Sequence, residues 1–514
     1  MSDLSNARTP SLVSRALGMI ERIGNRLPDP ATLFVLLGAI TLLLAAAGAW
    51  AGWSVSDPAN PSRTIAVRSL LDAEGVRWIL TNAIRNFLDF PPLAIVLVAM
   101  LGIGVAERTG LFPALLKLLV QLTPAKLLSP AVVFIGVMSS AASDAGYVVL
   151  PPLAAGVFAR AGRSPLAGIA AATFGVAGGF SANLLITSLD PLLSGLTEQA
   201  ARAVNPSAVV RPDCNWYFMI ASTFLLTGIG WFVTDRVVTP RFDRATIARQ
   251  LESGGVQPGI DRLTAQETRG LWAAAAALAA TAAALVAMAL IPDGPLTGQV
   301  QRHGTTAMVP AWSEAIVPMI LVIFLVPGVA YGVVSGEIRS DRCVAGRMGS
   351  AMSDMGTYIV LAFFAGQAIA WFRHSNLATV IGIEGAEYVK QLGLGASPML
   401  VAVVLVTAGI NLLISSASAK WAFLGPVLVP MLASAGMSPE LVQLAYRVGD
   451  SCTNPIAPLN AYLVIILVAI RRFQGDAGLG TLIALVLPYS LGALVVWTAF
   501  LLAWNALGIP LGPS

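Results

Sequence analysis

Ile414-Ser415-Ser416-Ala417-Ser418-Ala419, followed by Pro426 and Pro430, then Ala435-Gly436-Met437-Ser438-Pro439, then Cys452-Thr453-Asn454, is the stretch on which the fold turns. An earlier stretch repeats its order: Met138-Ser139-Ser140-Ala141-Ala142-Ser143, Pro151 and Pro152, Ala161-Gly162-Arg163-Ser164-Pro165, and Ser181-Ala182-Asn183. Each reads as an apolar half-hairpin, a Ser-rich tip, a second half-hairpin, a Gly-x-Ser-Pro turn, a helix and an Asn-containing break. The two Ser-Pro turns lie 274 positions apart in a chain of 514, so this is a repeat of halves and not a solenoid. The apolar pieces Leu127–Met138, Ala145–Ala159, Trp421–Ala435 and Leu441–Val448 are each too short to cross roughly 30 Å of hydrocarbon. Ser, Ala, Gly, Asn and Pro join them where charged loops would be usual. Re-entrant hairpins and broken helices have this composition, because non-helical backbone at membrane depth must be buried in protein or face water. Small residues also permit close helix packing, but packing alone does not predict an ordered match in both halves.

The rest of the chain supplies the membrane. Hydrophobic residues make up 56% and charged residues 11%, against about 25% charged in soluble domains; mean hydropathy is +0.77. Ala31–Trp53, Leu271–Ile291, Ala315–Val334 and Leu482–Leu502 are the cleanest spans. The segment Asp235–Arg269 holds six arginines and Glu337–Arg347 three more, and Arg471 and Arg472 close a later span. Basic loops mark the cytoplasm, which places the N-terminus inside and the segments 54–90 and 292–314 outside. The first thirty residues, with Arg8, Arg15, Arg22 and Arg26, read as a basic lead-in and not as a cleavable signal. The organisation expected is thus 1–30 basic segment, 31–126 scaffold, 127–200 first repeat, 201–397 scaffold and loops, 398–472 second repeat and 473–514 final helix. A net charge of +4 reflects basic loops and implies no nucleic-acid partner. Three scattered cysteines (Cys214, Cys343, Cys452) and two histidines (His303, His374) offer no metal spacing or catalytic triad. No cofactor and no enzymatic role are expected.

Paired interrupted segments in two halves point to the binding site of a secondary carrier. Broken helices expose N–H groups that can hold an anion and carbonyls that can hold Na⁺. Arg447 and Asp450 sit three apart within Ala445-Tyr446-Arg447-Val448-Gly449-Asp450-Ser451, a spacing that puts both on one helix face. Each costs at least about 2.5–3.5 kcal/mol at the bilayer centre, so neither should face lipid. Gly449 and Pro455 suggest that the helix unwinds there. Asp190, after Asn183, is either the counterpart charge or a cap. Asp144 and Lys420 at the two tips are either buried or at a solvated mouth. Asn411 is a cation ligand or a helix–helix bond, and Trp421 a stacking platform or an anchor. A channel would need one continuous ring-lined pore, which broken hairpins do not suggest.

The run Ser415–Pro426, with Ser438-Pro439, Gln443–Ser451 and Thr453-Asn454-Pro455-Ile456-Ala457-Pro458-Leu459, closely resembles the p-aminobenzoyl-glutamate transporter (AbgT) family, as does Ser143–Pro152 in the first half. The resemblance implies an all-α polytopic fold of about nine transmembrane helices plus two re-entrant hairpins, built from inverted repeats in an ion-transporter-like arrangement. It implies a homodimer in the bacterial inner membrane with a basin open to the cytoplasm. Family function carries over onto Trp421, Pro439, Arg447, Asp450 and Pro458, and further onto Ser418, Asn411 and Asp190. On that basis the cargo is p-aminobenzoyl-glutamate, imported, or a sulfonamide antimetabolite, exported. Arg447 is expected to receive a carboxylate and Trp421 to cover the aminobenzoyl ring. Asp450, with Asn454, Asn411, Asn183 and Asp190 as further candidates, is expected to take the coupling ion, Na⁺ or a proton.

Overall fold

Helices account for nearly all regular structure in the computed structural model, which describes residues 30–513 apart from 58–59, 143–144, 203, 255–262, 302–307, 392, 394, 415, 459 and 461. Most of the basic lead-in, Asp144 and His303 lie outside the described residues. Two small antiparallel strand pairs, Ser54–Asp57 with Asn60–Ala66 and Gln299–Gln301 with Met308–Pro310, decorate loops.

Five described helices are long and apolar enough to cross a bilayer: Trp216–Arg241, Ala265–Leu290, Ile316–Val334, Ala417–Ser434 and Leu479–Ala506. Two bent pairs, one of them Val96–Arg108 with Leu111–Leu119 at 63°, raise the number to seven, and shorter apolar helices such as Phe34–Trp50 add to it. Trp272, Val286 and Leu290 on one long helix are exposed, as acyl chains require. The chain is a multi-pass membrane protein.

Both repeats are present. The first runs through Leu128–Met138, a tight tip turn Ser139–Ala142, Ala145–Arg160, Pro165–Thr173 widening into Phe174–Gly178, an irregular break, and Leu189–Ala201. The second runs through Ala396–Asn411, Ala417–Ser434, Pro439–Thr453, a tight turn Asn454–Ile456 and Tyr462–Arg471. Pro165 and Pro439 each occupy the first helical turn, where a missing N–H costs nothing. Ser438 caps its helix by accepting from Leu441 N, whereas Ser164 donates to Gln250 Oε1 at 2.7 Å.

The central helix of each repeat is buried without interruption, from Pro165 to Gly178 and from Leu441 to Thr453. A glycine makes that possible in each. A Cβ on Gly175 would stand 2.6 Å from Val133 O, and one on Gly449 2.3 Å from Val404 O. Two sequence expectations change here. The segment Trp421–Ala435, read as too short to span, belongs to an 18-residue helix starting at Ala417, because Ser416 caps it by accepting from Ala419 N. The unwinding expected at Gly449 falls after Thr453; Gly449 stays helical and serves close packing.

Candidate functional site

The two tips and the two breaks meet around one cavity of about 450 Å³. Ser140 comes from the first tip, Ser416, Ala417 and Ser418 from the second. Thr187 and Ser188 come from the first break, Asn454 and Asn460 from the second. Phe180, Tyr147 and Tyr462 form its aromatic wall, the two tyrosines stacked with ring centroids 4.5 Å apart. The lining has a common origin in the helices. Tyr147, Leu189, Ala417 with Ser418, and Tyr462 lie in the first turns of four different helices. Helix N-termini carry partial positive charge, which suits anionic groups; at two of these ends Ser416 Oγ already accepts from Ala419 N and Asn460 Oδ1 from Tyr462 N.

The charges stand behind this lining in two couples. Arg447 and Asp450 are 2% and 1% exposed and do not pair with each other. Arg447 Nη1 lies 2.6 Å from Asp190 Oδ1, and its Nη2 donates to Ser181 O at 3.2 Å. Asp190 Oδ2 also accepts from Thr187 N at 2.6 Å and Thr187 Oγ1 at 2.9 Å. Asp450 Oδ1 lies 2.5 Å from Lys420 Nζ, and that lysine is fully buried. Four charges are thereby neutralised pairwise, which is what a low-dielectric interior demands. Among the described residues, Asp450 Oδ2, Arg447 Nε and Ser181 Oγ have no hydrogen-bond partner.

Amides stitch these couples to the breaks. Asn411 Nδ2 reaches Asp450 O at 2.8 Å and both Thr453 Oγ1 and Asn454 Oδ1 at 2.9 Å, while its Oδ1 accepts from Lys420. Asn454 Nδ2 donates to Ala177 O at 3.4 Å in the other repeat. Asn183 Nδ2 donates to Ser140 Oγ at 2.9 Å and its Oδ1 accepts from Leu185 N, tying the first break to the first tip.

Of the residues singled out in the sequence, Ser418 and Asn454 line the main cavity, and Asp190, Arg447 and Asn183 line a water-sized one of about 10 Å³ beside it. Trp421 is fully buried, donates to Thr197 Oγ1 at 2.9 Å and packs at a 31° tilt against Tyr446, ring centroids 4.5 Å apart. Pro439 opens the helix whose other end reaches the site, about 20 Å of helical rise away. Pro458 is half-buried in the irregular stretch after Ile456. Lys420, for which a solvated mouth was one reading, is interior. Tyr147, Tyr462, Phe180, Thr187, Ser188 and Asn460 escaped the sequence reading. The 274-residue offset held a clue, since it sets Tyr147 against Trp421 and Ser188 against Tyr462.

Paired hairpins, buried broken helices and a cavity lined by both tips and both breaks define a membrane carrier and not an enzyme. Residues 15–514 match the AbgT putative transporter family, and the chain belongs to it. It is 36% identical over 511 residues to the p-aminobenzoyl-glutamate transport protein of Escherichia coli (strain K12), covering 99% of this chain and 98% of that one. The crystal structure of the Alcanivorax borkumensis YdaH transporter, described as having an unusual topology, is 41% identical, with a TM-score of 0.86 over 95% of this chain and 100% of that one. MtrF of Neisseria gonorrhoeae, described as illuminating a class of antimetabolite efflux pumps, is 42% identical, with a TM-score of 0.88 over 97% and 100%.

Proposed function

We propose that this chain is an ion-coupled secondary active transporter of p-aminobenzoyl-glutamate and related aromatic folate-pathway compounds. The observation that carries this reading is the cavity walled by stacked tyrosines and faced by four helix N-termini. The cargo has one aromatic ring, one amide and two carboxylates. The ring lies on Tyr147 and Tyr462, the amide on Asn454 and Asn460, and the carboxylates on the hydroxyls and N–H groups of Ser188, Ser416 and Ser418. Arg447 stays with Asp190 and Ser181 and fixes the first break against the second central helix; it does not meet the cargo directly. Asp450 is the coupling carboxylate, with Asn411 and Asn454 beside it. Motion of the hairpin-bearing elements against the scaffold alternates access.

A second reading, efflux of sulfonamide antimetabolites, draws on the likeness to MtrF and on an aromatic wall that suits a sulfonamide ring equally well. The four helix N-termini favour the dicarboxylate. The setting proposed is the bacterial inner membrane, N-terminus cytoplasmic, with about nine spans and two re-entrant hairpins in inverted repeats, in a homodimer. Proteoliposomes containing the purified protein test the reading, with p-aminobenzoyl-glutamate and a sulfonamide compared under separate Na⁺ and proton gradients. Saturable, gradient-driven accumulation of p-aminobenzoyl-glutamate is expected. Flux of the sulfonamide alone favours the efflux reading, and linear, unsaturable flux of either compound favours a channel.

A further inference from the structure

In the second repeat an ammonium group occupies a set of oxygens suited to a free cation. Lys420 Nζ lies between Asp450 Oδ1, at 2.5 Å, and Asn411 Oδ1. The helix carrying Asp450 ends three residues later, so the negative end of its dipole points to the same place. A carboxylate, an amide oxygen and a helix C-terminus are the groups that hold a coupling cation in discontinuous-helix carriers. The first repeat is an internal control. The 274-residue offset puts Val137, Gly146 and Val176 opposite Asn411, Lys420 and Asp450. A Cβ on Gly146 would meet the side chain of Ser139 first and Val176 Cγ1 at 3.3 Å, so the same positions are neighbours there, with a serine hydroxyl beside them and no charge among the three. Among the described residues no such cluster stands at the matching positions of the first half, so the lysine, aspartate and asparagine buried together in the second are unneeded for building a hairpin.

We propose that Lys420 is a tethered cation that fills the coupling-ion position and sets the ion specificity of this carrier, excluding Na⁺ and leaving the pair to be opened by a proton. This rests on the carrier reading above and names the ion that reading leaves open. One proton from bulk water bonds to the Asp450 carboxylate, forming an O–H bond and breaking no other covalent bond. The neutral carboxyl no longer attracts the ammonium, and the tip helix Ala417–Ser434 parts from Pro439–Thr453. When the tip reseats, the proton leaves to water on the other side and the ion pair re-forms. Other titratable groups facing the pair are Arg447, held by Asp190, Tyr446, whose hydroxyl donates to Ala417 O at 2.5 Å, and the buried thiol of Cys452. The helix Ala396–Asn411 brings none.

The test uses the full-length protein in proteoliposomes with p-aminobenzoyl-glutamate as solute and an internal pH dye. Wild-type protein is expected to accumulate solute under a pH gradient, to move protons with it, and to change its initial rate less than about twofold under a tenfold Na⁺ gradient at clamped pH. Lys420→Met is expected to lose the response to pH and to gain a rate that rises with Na⁺. Wild-type accumulation driven by Na⁺, or unchanged proton coupling in Lys420→Met, overturns the proposal. If Lys420→Met does not fold, Lys420→Met/Asp450→Asn removes both charges together. Its solute exchange is expected to follow neither gradient, and proton-driven accumulation by it again overturns the proposal. Absence of solute exchange in the wild type, with no gradient imposed, counts instead against the substrate reading.

Discussion

The two repeats fold alike and are charged differently. Each has a capped or proline-led central helix, buried along its length and pressed against its own hairpin through a glycine. Each tip and each break contributes to the same cavity. Yet Lys420, Arg447 and Asp450 all belong to the second repeat, where the first has Gly146, Thr173 and Val176. The first repeat contributes one buried partner, Asp190, from beyond its break. Shared features therefore serve architecture, and the unshared charges join the halves, Arg447 reaching Asp190 across the repeats. Symmetry supplies two hairpins, and asymmetry places the buried lysine–aspartate pair in one of them; under the coupling proposed above, that is the one that responds to an ion.

Variants can break this division. The largest effect is expected from Asp450→Asn, which should reduce gradient-driven accumulation in proteoliposomes to that of empty vesicles, while Val176→Ala at the matching position keeps it. Equal losses from both would show that the repeats share the coupling role. Next, Arg447→Met leaves Asp190 buried and unpaired and should cost about 3–5 kcal/mol, read as a lowered unfolding midpoint in detergent. Arg447→Met/Asp190→Asn should recover most of that loss. If the double variant is no better than the single, the two side chains do not form a couple.

Glycine substitutions sharpen the architectural half. Gly175→Ala and Gly449→Ala should each destabilise by about 1–3 kcal/mol through overpacking, since each new methyl meets a carbonyl oxygen at 2.6 or 2.3 Å. A loss confined to one repeat would mean that the other central helix has room to shift. Smaller again, Tyr147→Ala or Tyr462→Ala should weaken solute binding about two- to tenfold through loss of an aromatic pair, seen as a raised KM. Smallest, Trp421→Phe keeps the tilted ring contact with Tyr446 and gives up the bond to Thr197, a loss of about 0.5–1.5 kcal/mol in stability with KM within about twofold of the wild type.

Much of the fold was legible because its signals are local. Spans such as Leu271–Ile291 follow from hydropathy, and that one appears as the helix Ala265–Leu290 with Ile291 as its C-cap. The turns at Ser164-Pro165 and Ser438-Pro439 follow from proline chemistry and stand where they were read. The convergence of tips and breaks also followed from the repeat. The partners of the charges did not. Arg447 and Asp450 share a helix with a spacing that permits a pair, and each turned to a residue on another element. Trp421 had the look of a stacking surface and lies sealed among Tyr446 and Thr197. Tyr147 and Tyr462 carried no distinguishing pattern of their own.

The amino-acid order by itself determined the solvent, the repeat and the family of this protein. Transfer from water to hydrocarbon is nearly additive over neighbouring residues, so a window of sequence contains the answer. Only the tertiary structure decided which carboxylate meets which cation and which rings line the cavity. Coulombic attraction in a low-dielectric interior falls steeply with misplacement, and the segments bearing Asp190 and Arg447 are brought together by packing that no single window encodes.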